Sequence, residues 1–209
     1  GSEPIENATL SYIEPYASST CEMVAEILQY ICDNVKIKPI EADTIYAGIV
    51  IDTNSFSNKA GARTFEAAAF IRRNGADIIR VRKLLRSDMT EYKAKAEAVR
   101  HAEVYRDCFA ISICPSAGLQ SPTIVGAQAA NELLNISGIK ASIVFTLYND
   151  EIYISARSID EVNVQLIMER LGGGGHMTIA GAQLKGMDIE EAIDLVKKTL
   201  DEMIQEGAI

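Results

Sequence analysis

Among the residues whose types and spacing could do chemistry, the first are Leu171-Gly-Gly-Gly-Gly-His-Met177, consecutive glycines followed by one of only two histidines. Each glycine fixed on folding loses more backbone entropy than any other residue, so Gly172 to Gly175 must return something that side chains would prevent. One such return is close approach of backbone N–H groups to an anion, with His176 at the exit able to donate to a phosphate oxygen. The plainer alternative is a flexible helix-to-strand connector that happens to end in histidine. A second segment, Asp52-Thr-Asn-Ser-Phe56, sets an aspartate against the negative end of an apolar helix, which hints at a metal cation nearby. Its alternative is a turn aspartate bonded to its own backbone. In a third, Ile152, Ile154 and Ala156 face one side of a strand while Tyr153, Ser155 and Arg157 face the other, so one face is apolar and the other carries polar groups. For Arg157 the competing role is a surface salt bridge.

The elements that must position these residues follow from periodicity and caps. Val164, Ile167, Met168 and Leu171 have helical spacing, so the glycines leave a helix and turn sharply. Ser19 and Glu22 form a capping box for a helix over 19–33, whose start presents Ser18, Ser19 and Thr20 as either a cap or an anion site. Residues 41–51 and 63–74 read as further helices, and Asp77 caps a short one through Val81, Leu84 and Leu85. Residues 87–105 form a polar helix of the kind that bridges two lobes or lies over one, so the domain boundary is placed near residue 104. Beyond it strands and helices alternate. Cys108–Cys114 is a strand, Ser121-Pro122 opens a helix stopping near Gly138, and Asn149-Asp150 joins two strands as a hairpin. Gln183-Leu184-Lys185 reads as a short strand, and Asp188 with Glu191 caps the last helix. The predicted class is α/β in two lobes, 1–103 and 104–209, the second with a mixed sheet and flanking helices.

Composition bounds the function. With 209 residues, 48% hydrophobic and 23% charged, the chain is ordinary for a globular protein and holds no apolar run as long as a membrane span. A formal charge of −9 argues against tracking long DNA or RNA, though not against a small anionic ligand in a local basic pocket. Cys21, Cys32, Cys108 and Cys114 form no C-x-x-C pair, which argues against structural zinc and for reduced thiols in a cytoplasmic protein. Gly1-Ser2 reads as either an expression remnant or native sequence.

Three separated segments carry a family resemblance. GGGGHMTIAGAQL, with ISARS upstream, is similar to the DHHA1 substrate-binding module. YIEPYASSTCEMVAEIL, GIVIDTNSF and TFEAAAFIRRNGAD resemble the back half of the DHH phosphoesterase domain. Order and spacing agree over the three segments, the resemblance covers nearly the whole chain, and within the DHH/DHHA1 family the likeness is to cyclic-di-AMP phosphodiesterases of the GdpP type. The resemblance implies hydrolysis of cyclic-di-AMP to pApA by two divalent ions, usually manganese, which generate hydroxide and neutralise charge on the phosphodiester.

Family metal ligands come from an H-x-D-x-D stretch, a further aspartate, the Asp-His-His signature and one later aspartate. Only Asp52 matches here. The resemblance therefore implies a C-terminal fragment, the end of a DHH domain over 1–103 and a DHHA1 domain over 104–209, that supplies nucleotide binding and has little activity alone. Gly173, Gly174, Gly175 and His176 would grip a phosphate, while Arg157 and Ser155 would contact the nucleotide. The partner implied is a small dinucleotide, with no long nucleic acid and no membrane contact by this region; a homodimer stays open. The parent would carry transmembrane helices, a PAS-like sensor and a degenerate GGDEF domain, with this region on the cytoplasmic side. Two alternatives remain: a RecJ-like or nanoRNase hydrolase of short oligonucleotides, and a stand-alone nucleotide- or RNA-binding DHHA1 module. The phosphoesterase-like segments count against the second.

Overall fold

In the computed structural model, residues 7–31 and 35–209 are described. Gly1-Ser2, Cys32 and the expected last residues of the first helix lie outside them. The chain divides into two compact units, Gly1–Arg86 and Ser87–Ile209.

The first unit is helical: α1 (Thr20–Ile31), α2 (Pro39–Asp52), α3 (Ala62–Arg73) and α4 (Ile78–Leu84). Its core is built largely from small residues, Ala25, Ala42, Ala47, Ala67 and Ala68 around Ile49 and Ile71, so the helix backbones approach closely. Gly48 shows how closely, since a Cβ there would lie 2.2 Å from Cys21 Sγ. Polar pins complete the packing. The buried Glu22 carboxylate accepts from Thr64 Oγ1 at 2.7 Å, from the Ser18 amide at 3.2 Å and from the Ser18 hydroxyl. Ser19 Oγ caps α1 by accepting from the Glu22 amide at 3.0 Å, so of the expected capping box the serine half forms and the glutamate reaches Ser18 instead. Asp43 accepts from Arg80 Nε at 2.7 Å and from the Asp77 amide at 2.7 Å, tying α2 to the start of α4.

The second unit contains α5 (Met89–Arg100), β1 (Glu103–Tyr105), β2 (Phe109–Ile113), α6 (Pro122–Leu133), β3 (Ala141–Tyr148), β4 (Glu151–Ser158), α7 (Val164–Arg170), β5 (Gly174–His176), β6 (Ile179–Lys185) and α8 (Ile189–Gln205). The strands form one sheet in the order β1-β2-β3-β4-β6-β5. Only β2 and β3 pair in parallel, and α6 makes the crossover that parallel pairing requires. The hairpin at Asn149-Asp150 has φ of +52° and +60°, the left-handed pair that matches the twist of its strands.

One sheet face is apolar from β2 to β6. Phe109, Ile143, Phe145, Ile152, Ile154, Ala156 and Ala182 pack there with Ile167 and Met168 of α7 and Val196 and Leu200 of α8. On the opposite face α5 and α6 cover β2 and β3 through Ala94, Ala98, Ala129, Ala130 and Leu133. Ser112 Oγ donates to Ala98 O at 2.5 Å and Ser142 Oγ to Ala130 O at 2.7 Å, fastening the two helices to the sheet. A Cβ at Gly126 would lie 2.2 Å from Thr146 Oγ1, so glycine lets α6 rest directly on β3.

Two expectations change. The helix read over 87–105 ends at Arg100, because Glu103–Tyr105 gains ladder hydrogen bonds as an edge strand on β2. That polar helix is also no bridge: its alanine side packs into the second unit, which therefore begins at Ser87 rather than near residue 104.

Candidate functional site

Each glycine of the run has its own physical account. Gly172, at φ +77°, ends α7: its N–H donates to Glu169 O at 3.1 Å and that of Gly173 to Met168 O at 2.8 Å, a Schellman cap. Gly173 and Gly175 are forced by packing. A Cβ on Gly173 would lie 2.1 Å from Gly181 O, and one on Gly175 would lie 2.5 Å from Ala180 Cα. At Gly174, by contrast, an added Cβ meets nothing within 4 Å. Gly172 and Gly173 therefore make an ordered helix-to-strand turn. Gly174–His176 is the edge strand β5, and Gly174 alone lacks a side chain for no reason internal to the protein.

Register assembles the rest. Antiparallel pairing aligns Ser155 of β4 with Gly181 of β6 and Gly174 of β5, and aligns Arg157 with Ile179 and His176. Residues opposite one another across a ladder share a face, so Ser155, Arg157, Gly174 and His176 stand together on the polar face, which α6 reaches at β4. The two rows are about 7 Å apart along the strands. Gly181 belongs to this constellation and was missed in the sequence. Its alternation with Ala180 and Ala182 was the available signal, and a Cβ there would meet Ile154 O at 2.8 Å.

Arg157 dominates the electrostatics. Its guanidinium is half-buried, and burial lowers its pKa. Its hydrogen bonds go to backbone carbonyls, Ala156 O at 2.9 Å and Ala180 O at 3.4 Å, and among the described residues no carboxylate pairs with it. The salt-bridge alternative is not formed. A half-desolvated cation without a counter-ion is poised to take an anion, and its planar fork suits phosphate. Ser155 is half-buried beside it and His176 is exposed, each without a side-chain hydrogen bond among the described residues.

Asp52 lies in the first unit as the last residue of α2, exposed. The turn after it holds Asn54, Ser55 and Phe56 at φ of +46°, +59° and +66°, a left-handed run that non-glycine residues rarely adopt. Thr53 stabilises it: its buried hydroxyl donates to Ile49 O at 2.7 Å and accepts from the Phe56 amide at 3.0 Å. The backbone bonding considered for Asp52 is thus done by Thr53, and the Asp52 carboxylate takes no hydrogen bond or ion pair among the described residues. Burial first, and then the charge of Asp52, pushes the Cys21 thiol pKa up. Among the described residues no group of three or more His, Cys, Asp or Glu is placed to hold a metal ion. One carboxylate does not fit a two-ion centre by itself.

The DHHA1 domain family matches residues 116–206, a span that includes β4, the glycine run and β6. The cyclic-di-AMP phosphodiesterase GdpP of Bacillus subtilis is 43% identical over 209 residues, covering 99% of this chain and 32% of that protein. The cyclic-di-AMP phosphodiesterase PdeA of Listeria monocytogenes is 43% identical over 191 residues, covering 91% of this chain and 29% of that protein. The chain thus spans about a third of the length of these curated relatives. In fold it is similar to the crystal structure of an exopolyphosphatase-related protein from Bacteroides fragilis, with TM-score 0.84, 20% identity, and coverage of 96% of this chain and 61% of that one. Residues 116–206 thus match the DHHA1 domain family, and nearly the whole chain is similar in sequence to cyclic-di-AMP phosphodiesterases.

Proposed function

We propose that this chain is the nucleotide-holding part of a phosphodiesterase that hydrolyses cyclic-di-AMP to pApA. The observation that carries the reading is Arg157, a half-buried guanidinium with no carboxylate partner, standing on the same open face as Ser155, Gly174 and His176. Arg157 takes phosphate oxygens through charge-assisted bonds worth about 1.5–3 kcal/mol each. Gly174 allows the phosphate to approach the β5 backbone, and His176 and Ser155 donate to its remaining oxygens. The identity to cyclic-di-AMP phosphodiesterases supplies the substrate class.

In this reading the first unit, Gly1–Arg86, belongs to the phosphoesterase domain and the second, Ser87–Ile209, holds the substrate-binding domain, with two divalent ions, manganese preferred, acting in the complete enzyme. Asp52 is one ligand of that pair. Its free carboxylate suits the role, and the remaining ligands have no counterparts among the described residues. The chain by itself therefore binds without efficient turnover.

Calorimetric titration of the 209-residue chain with cyclic-di-AMP and pApA tests the reading. Measurable binding that weakens by about tenfold or more in Arg157→Ala is expected, in line with one lost charged hydrogen bond. Equal affinity in wild type and Arg157→Ala would overturn it. So would tighter binding of longer oligoadenylates than of either dinucleotide, which would favour an oligonucleotide hydrolase.

A further inference from the structure

The phosphate end of the open face uses the rows of Arg157 and Ser155 and leaves the next two unexplained. There Tyr153 pairs with Gln183 and Glu151 with Lys185, so the strip continues with an aromatic ring, a carboxamide and an ion pair. The row of Tyr153 and Gln183 lies about 7 Å along the strands from the row of Ser155, Gly181 and Gly174. The two glycines leave a side-chain-free floor between the phosphate end and this second cluster.

The cluster is ordered around Glu151. Its carboxylate accepts from Tyr153 Oη at 3.2 Å and from Gln183 Nε2, and it pairs with Lys185. Gln183 Nε2 also lies 3.3 Å from Tyr153 Oη. An ionised carboxylate only accepts hydrogen bonds, so it fixes which end of the Gln183 amide faces it: the nitrogen turns inward and Oε1 turns away. The Lys185 partner keeps Glu151 ionised, holding its carboxyl below the usual carboxylate range, with the Gln183 bond contributing less. Among the described residues Oε1 of Gln183 takes no hydrogen bond. The result is an oriented, unused acceptor beside the Tyr153 ring, whose neighbour Tyr148 lies 6.4 Å away with the two rings tilted by 50°.

We propose that Gln183, positioned by Glu151 and flanked by Tyr153, reads the nucleobase and selects adenine over guanine; this rests on the nucleotide reading of Arg157 given above. The base lies at the row of Tyr153 and Gln183, past the floor of Gly174 and Gly181, while its phosphate meets Arg157. At the sixth ring position adenine presents an amino donor and guanine a carbonyl acceptor. A fixed Oε1 acceptor accepts from the first and repels the second.

The test measures binding of pApA, pGpG and ribose 5-phosphate to the 209-residue chain and to Gln183→Ala, Glu151→Gln and Arg157→Ala. Wild type is expected to prefer pApA over pGpG by about tenfold. Gln183→Ala, at an exposed position whose loss leaves the fold intact, should reduce that ratio to about twofold without changing ribose 5-phosphate binding. Glu151→Gln, which releases the amide while keeping Gln183, should narrow it in the same way; a merely structural role for Glu151 would leave the ratio unmoved. Arg157→Ala should weaken all three ligands together. Unchanged base ratios in Gln183→Ala and Glu151→Gln, with Arg157→Ala still weakening every ligand, would overturn the base reading alone. An Arg157→Ala chain that binds like wild type, or a wild type that binds none of the three, would overturn the phosphate reading as well.

Discussion

The two ends of one sheet face in the second unit carry similar residues and treat them in opposite ways. Over β2 and β3, Ser112 and Ser142 donate to carbonyls of α5 and α6, and Gly126 brings α6 against Thr146. Over β4, β6 and β5 the corresponding serine, Ser155, makes no hydrogen bond to a helix among the described residues, and its neighbour Arg157 pairs with no carboxylate among them. In the first region small and polar residues are consumed by packing. In the second they are left for a ligand. A serine or glycine on a polar strand face thus means nothing by itself, because what covers the face decides whether its groups are already satisfied.

The largest effect that can sharpen this contrast lies inside the glycine run. Gly173→Val would drive a side chain into the backbone of β6 and should destabilise the chain by about 3 kcal/mol. Gly174→Val faces open space and should melt close to wild type while weakening dinucleotide binding by about tenfold. Thermal melts and titrations of both variants check the pair, and similar melting of the two would mean that β5 is not packed as described.

A smaller effect separates the two serines. Ser142→Ala loses its bond to Ala130 and should cost about 1 kcal/mol in denaturant unfolding with binding unchanged. Ser155→Ala should do the reverse, holding stability and reducing affinity a few-fold. Weaker binding in Ser142→Ala would break the division between covered and open ends.

The smallest effect uses a paired arginine as a foil for Arg157. Arg106 donates to both carboxylate oxygens of Asp201, at 2.9 Å each, and Tyr105 Oη donates to the same carboxylate at 2.9 Å. Arg106 first, and then Tyr105, holds the Asp201 carboxyl below the usual aspartate range. A lowered folded pKa means that this pairing stabilises fully above the ordinary aspartate value of about 3.9 and loses that contribution as pH falls through the lowered value. Asp201→Asn should therefore be less stable than wild type at pH 7, with the gap closing toward pH 2 in denaturant titrations. A gap that stays constant with pH would show that the ion pair contributes nothing specific.

Much of the fold was legible because its signals are local. Asp77 accepts from the Ile79 amide, Asp188 from the Glu191 amide with Glu191 reaching back, and Asn149-Asp150 turns the hairpin. Each depends on residues within a few positions. The misreadings are long-range. Glu103–Tyr105 is helical by pattern and becomes a strand only because β2 lies beside it, while β6 begins at Ile179 rather than at Gln183 because β4 and β5 both pair with it. Gly174–His176 has almost no strand propensity and is a strand only through its ladder with β6.

For the site, residue types alone marked Ser155, Arg157, the glycines and His176 as polar or permissive positions worth a ligand, and Asp52 as an aspartate at the wrong end of a helix. The amino-acid order by itself determined which side chains alternate to a common strand face, since that follows from a period of two. Where α6 would rest on the sheet, which glycines were needed by the β6 backbone, and that the half-buried Arg157 would lack a carboxylate were decided only by the tertiary structure. Those outcomes depend on pairing register and helix placement between segments far apart in the chain, and no short-range pattern encodes them.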